Sequence, residues 1–292
     1  MRVATTDGSR TAPRLLPFLN LGNLVDLPSW SQAPAQQDPD ALHRALRTAG
    51  FVGINGDATP ASRAAGMLHA AGGRVNRPGE VAALAARWRA DGYACAILHV
   101  GWGHEDDAAV DAIVRDILAV SAGEGFPLFI ETHRATITQD TWRTVRLVER
   151  HPDVRFNADF SHWYTGLEMV YGDWQDKLAF LAPVFERVRF FHGRIGNSGC
   201  IQMPLSHPSM PKAIGHFREL WTRSCAGFLR SAQPGEWIGF APELLFPSIN
   251  YAPTWRDAQG GYDEASDRWI EALELVRIAG ECFAAAGSQA RA

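Results

Sequence analysis

Four short segments of the chain each carry a residue type that holds metal ions or moves protons. They are Glu131 in Phe129-Ile130-Glu131-Thr132-His133-Arg134, Asp159 with His162 in Phe156-Asn157-Ala158-Asp159-Phe160-Ser161-His162-Trp163, His192 in Phe190-Phe191-His192-Gly193-Arg194, and Glu243 in Phe240-Ala241-Pro242-Glu243-Leu244. Each segment reads as a strand whose last residues are polar. Taken singly, such a carboxylate is a helix cap or salt-bridge partner, and such a histidine a hydrogen-bonded structural residue. The Asp159/His162 pair alone fits a metal site, an acid/base pair or a satisfied polar corner. Taken together on neighbouring strands, three carboxylates would repel one another unless protons or a cation compensated them. One divalent ion does this most economically. Three carboxylates and an imidazole form an oxygen-rich site that suits Mn²⁺, Mg²⁺ or Co²⁺ better than Zn²⁺. Two positions of an octahedral shell remain open for a substrate carbonyl and its neighbouring hydroxyl, which would acidify the C–H between them. A carboxylate beside the substrate would then take the proton.

Such a constellation needs strands that converge, and the hydrophobic pattern supplies them. Apolar runs expected as strands are 15–21, 51–55, 73–77, 95–100, 127–132, 155–160, 189–194 and 237–244. Amphipathic runs expected as helices are 39–49, 60–71, 80–90, 106–123, 138–150, 173–186, 211–231 and 264–286. Asp106 and Asp107 place negative charge at a helix start, Thr136 with Gln139 has capping-box spacing, and Gly50, Gly92 and Gly125 stand where helices should stop. Eight alternating strand and helix units predict a closed (β/α)8 TIM barrel, a single domain over 1–292 with frayed termini at 1–14 and 287–292. A doubly wound sheet is the alternative, but the first strand-to-helix turn lacks G-x-G-x-x-G. In a barrel the chemistry sits where strands end. The long segments 22–38, 195–210 and 245–263 would wall a pocket there, with Trp30, Trp102, Trp163 and Trp255 either lining it or capping the rim.

Composition narrows the function. A net charge of −4 without a basic run argues against nucleic acid as a partner. The four cysteines have no C-x-x-C spacing, and no apolar run approaches a membrane span, so a soluble cytoplasmic protein is expected, monomeric or a homo-oligomer.

The ordered set Glu131, Asp159-x-x-His162, His192 and Glu243 resembles the xylose isomerase-like TIM barrels, which include sugar isomerases, ketose 3-epimerases, inosose enzymes and the endonuclease IV type. By that resemblance Glu131, Asp159, His192 and Glu243 would hold the metal. Glu131 and Glu243 would also exchange the substrate proton from opposite faces, through an enediolate, while His162 would hydrogen-bond a substrate oxygen. The implied substrate is a sugar, ketose or polyol. The epimerases carry an arginine several residues after the histidine, whereas here Arg194 follows His192 at two and position 198 is Ser. Arg194 and Arg134 are the expected grips on the substrate, with a rim salt bridge as the alternative for each. His133 and His99 would extend the site, unless His99 points into the barrel layer. A lyase or dehydratase would begin with the same proton abstraction. A non-catalytic binding subunit would not need the ligand set, and an endonuclease IV-like enzyme would need an Asp-x-His pair that is absent between His192 and Glu243.

Overall fold

The computed structural model describes residues 3–256, 258 and 260–289. Eight parallel strands close into a barrel in chain order: β1 (Arg14–Asn20), β2 (Gly53–Asn55), β3 (Leu68–Val75), β4 (Cys95–Val100), β5 (Leu128–Glu131), β6 (Phe156–Ala158), β7 (Val188–Gly193) and β8 (Trp237–Pro242), with β8 paired back to β1. Around them lie α1 (Pro39–Thr48), α2 (Pro60–Ala64), α3 (Glu80–Ala90), α4 (Asp107–Glu124), α5 (Thr141–Arg150), α6 (Ser161–Gly166), α7 (Trp174–Phe180), α8 (Ala182–Phe185), α9 (Met210–Leu229) and α10 (Arg268–Gln289). A small antiparallel hairpin, β9 (Thr254–Arg256) with β10 (Tyr262–Glu264), rises from the loop between β8 and α10. The single TIM-barrel domain expected from the alternation is the architecture found.

The barrel interior is filled by a separate apolar cluster that includes Phe18, Ala70, Ile97, Phe129, Phe190, Trp237 and Ala241. Two glycines make room for its aromatic rings. A Cβ at Gly53 would lie 2.3 Å from the Phe18 ring, and one at Gly239 would lie 2.2 Å from Phe190. Side chains alternate along a strand, so the inward residue two positions beyond each filler faces the barrel mouth. From Phe18, Gly53, Ala70, Ile97, Phe129, Phe190 and Ala241 that step leads to Asn20, Asn55, Gly72, His99, Glu131, His192 and Glu243.

Several local expectations fail for identifiable reasons. The run 60–71 is helical only to Ala64, because Gly66, with φ +66°, ends the helix and Leu68 starts β3. Helix-favouring Leu68, His69, Ala70 and Ala71 are drawn into a strand by pairing with β2 and β4, and tertiary context overrides propensity. The strand expected at 73–77 is therefore β3 read too late. Thr136 and Gln139 do not cap a helix. Asp140 is the cap of α5, accepting from the Arg143 amide at 2.8 Å. The helix expected over 173–186 is two helices, with Pro183 in the first turn of the second. Gly50, Gly92 and Gly125 do follow helices, with φ of +97°, +73° and +61°.

Of the termini expected to fray, residues 1–2 and 290–292 lie outside the described residues. Thr5 is buried, and Thr6 bridges Glu236 beside β8, so the stretch before β1 is anchored. Helix α10 continues through Gln289. Among the described residues no helix is long and apolar enough to cross a membrane.

Candidate active site

Glu131 ends β5 and Asp159 follows β6 directly. His192 is the penultimate residue of β7, and Glu243 follows β8. One ligand atom from each of the four lies within 4.8 Å of the others. His192 Nδ1 stands 3.2 Å from Glu131 Oε2 and 3.4 Å from Glu243 Oε1. Its other nitrogen, Nε2, is 2.9 Å from Asn55 Oδ1. The Asn55 carbonyl requires a proton on Nε2, which leaves Nδ1 free to face the carboxylates. Nδ1 is buried and makes no aligned hydrogen bond. A buried imidazole nitrogen that faces two carboxylates without an aligned hydrogen bond fits a divalent ion held by Glu131, Asp159, His192 and Glu243.

Asparagines hold this set in place. Asn20 Nδ2 donates to Glu243 Oε1 at 3.1 Å and to Asn55 Oδ1 at 2.9 Å, and Asn157 Nδ2 donates to Glu131 Oε2 at 3.2 Å. Asp159 accepts from the Ser161 amide at 3.0 Å and from the Ser161 hydroxyl. It also pairs with Arg194 Nη2, which stands 3.2 Å from Glu243 Oε2, while Arg194 Nε donates to Ser161 Oγ at 3.1 Å. Three carboxylates, one guanidinium and one divalent ion would sum to zero charge.

The surroundings divide the two glutamates. Burial works against the charge on Glu131, but His192 and His99 outweigh it and hold its carboxyl well below the usual range. Burial pushes Glu243 up despite the opposing pull of His192 and Arg194, with Glu131 and Asp159 reinforcing the rise. Burial disfavours charge on His192 too, yet the Glu243 and Glu131 carboxylates push it up to about 9. Two groups whose pKa values are driven apart suit opposite proton roles.

The other expected site residues separate into two groups. His99, His133 and His162 form a row of rings, with centroids 4.4 and 3.8 Å apart. His99 lines the mouth, its Nε2 3.4 Å from Glu131 Oε1. Burial lowers His133 to about 4 and, with Arg194, takes His162 well below its ordinary value, so both are neutral. His162 sits in the first turn of α6 and contacts Asp159 through Nε2 at 3.4 Å.

Trp163 is not a lining residue. It is fully buried in the core and donates to the Thr138 carbonyl at 2.8 Å. Trp102 stands exposed on the rim with Arg74 over its ring at 4.1 Å, and Arg134 lies over the Tyr251 ring at 4.9 Å. Arg194 is not a free grip on substrate, because it is buried against Asp159 and Glu243. The sequence reading missed Asn20, Asn55, Asn157 and Ser161. The available signal was that Asn20, Asn55 and Asn157 lie in or at the ends of expected strands.

A cavity of about 590 Å³ opens from the carboxylate cluster, with Asn20, Asn55, Gly72, His99, Glu131, His192 and Glu243 among its walls. Its size falls within the usual range for ligand pockets.

The chain matches no protein-family model and no curated protein. Solved structures do resemble it. A xylose isomerase-like TIM barrel protein from Mycobacterium smegmatis, in complex with magnesium, aligns at TM-score 0.52 and 12% identity over 94% of this chain and 98% of that one. A candidate 3-DHS dehydratase involved in petrobactin synthesis from Bacillus anthracis aligns at TM-score 0.51 and 12% identity, over 80% of this chain and 94% of that one. A candidate sugar phosphate isomerase/epimerase from Anabaena variabilis aligns at TM-score 0.51 and 11% identity, over 94% of this chain and 100% of that one. The chain therefore has the fold of the xylose isomerase-like TIM barrels. Identities this low establish the fold alone.

Proposed function

We propose that the protein is a divalent-metal-dependent isomerase or epimerase of a sugar, ketose or related polyol. The observation that carries this reading is the convergence of Glu131, Asp159, Glu243 and His192 Nδ1 at the wall of a cavity. A bound Mn²⁺, Mg²⁺ or Co²⁺ would polarise a substrate carbonyl and its neighbouring hydroxyl. Glu131, held ionised, accepts the proton from the carbon between them at a carboxylate oxygen, leaving an enediolate. Glu243, whose pKa burial pushes up, returns a proton from the other side. Asn157 and Asn20 fix the two carboxylates, and Asn55 fixes His192.

A dehydratase reading has one observation in its favour. His99 faces the cavity, and although burial opposes its charge, Glu131 raises its pKa, which suits it to protonate a departing hydroxyl.

The test is incubation of Mn²⁺-loaded protein with ketoses and inososes in D₂O. Deuterium should enter beside the carbonyl in the wild type and not in Glu131→Gln. Loss of water from the labelled product would favour the dehydratase. Absence of exchange across the panel would favour a non-catalytic binding protein.

A further inference from the structure

The cavity does not end at the carboxylates, and its direction says something about the substrate. Strand β2 is short, and its pairing with β3 stops at Asn55 with Ala70, whereas β3 continues to Val75 against β4. Parallel strands turn the peptide groups of alternate residues to alternate sides. The carbonyls of His69 and Val75 accept from Ala94 and Gly101 on the β4 side. Gly72 and Arg74 therefore turn their peptide groups to the side that β2 has vacated, and at Gly72 that open edge borders the cavity.

Gly72 stands on the inward row two positions beyond Ala70, where a side chain would enter this space. It does not have the positive φ that demands glycine, and a Cβ built there meets nothing within 4 Å. Folding alone does not explain why no side chain fills the space. At the inner end is His192, 5% exposed, whose Nδ1 faces Glu131 and Glu243 without an aligned hydrogen bond. Further along its walls are Asp57 and Arg87, both exposed and neither in an ion pair among the described residues. An open backbone edge offers both donors and acceptors, as Asp57 and Arg87 do, which suits the hydroxyls of a polyol.

Building on the reading proposed above, we infer that the part of the substrate remote from the reacting carbons lies along the β3 edge at Gly72. The site then selects a neutral polyhydroxylated molecule of roughly hexose size over a triose. Gly72 is the residue that sets this length.

The test is calorimetric titration of Mg²⁺-loaded protein with glycerol, erythritol, xylitol and sorbitol. Affinity should rise about tenfold or more from glycerol to sorbitol. Gly72→Leu should abolish that gain while leaving bound metal and melting temperature unchanged, and Gly72→Ala should remove part of it. A series flat with length in the wild type overturns the inference, as does a gain that survives in both variants. Because the titration needs no turnover, failed deuterium exchange would sink the isomerase reading without altering this result, and a flat series would sink the β3 edge alone.

Discussion

Withdrawing the metal should make the stability of the fold depend on pH through His192. Burial disfavours its charged form, but the Glu243 and Glu131 carboxylates outweigh that and push its pKa up to about 9 from an ordinary 6.5. A group whose folded pKa is raised stabilises the fold fully below its unfolded value. That contribution is lost as the pH rises through the folded one. The gap between 6.5 and about 9 corresponds to roughly 3 kcal/mol at about 1.36 kcal/mol per pH unit. Glu131, held low, changes its contribution only in the acid range and leaves this window clear. Chelated protein should therefore lose roughly 2 kcal/mol of that unfolding free energy between pH 7 and pH 9, and the rest above pH 9, read from urea titrations. Loading Mn²⁺ at pH 7 would displace the Nδ1 proton, so binding should release about one proton, measured by calorimetry in two buffers of different ionisation heat. His192→Gln should remove both effects. Metal binding without proton release in the wild type would refute the assignment of Nδ1 as a ligand.

Arg194→Met would leave Asp159 and Glu243 buried without their guanidinium, and should destabilise the metal-free protein by about 3–5 kcal/mol in urea unfolding. Mn²⁺ should restore part of the loss, and an unchanged midpoint would contradict the buried pair. Gly239→Ala would drive a Cβ into the Phe190 ring and should lower unfolding free energy by about 1–3 kcal/mol without changing metal stoichiometry. Wild-type stability in that variant would contradict the packing described for the barrel interior.

The four ligand-type residues were legible because charge at the end of an apolar run is conspicuous, and eight such runs imply a barrel that brings them together. Asn20, Asn55 and Asn157 were not singled out. A neutral amide carries no such contrast, and only the inward row, known once the strands pair, shows that it faces a carboxylate. Strand β3 was hidden for the opposite reason, since Leu68-His69-Ala70-Ala71 favours a helix until β2 and β4 claim it. Trp163 and Arg194 were placed at the right end of the barrel but facing the wrong neighbours. Spacing gives a residue's height along a strand, whereas its partners come from loops and helices such as α6, which the sequence did not announce.

The most direct measurement is an anomalous difference map from crystals soaked in Mn²⁺. One strong peak is expected within bonding distance of Glu131, Asp159, His192 Nδ1 and Glu243, absent in Asp159→Ala. A map with no peak there, or with manganese only between His99 and His133, would contradict that expectation.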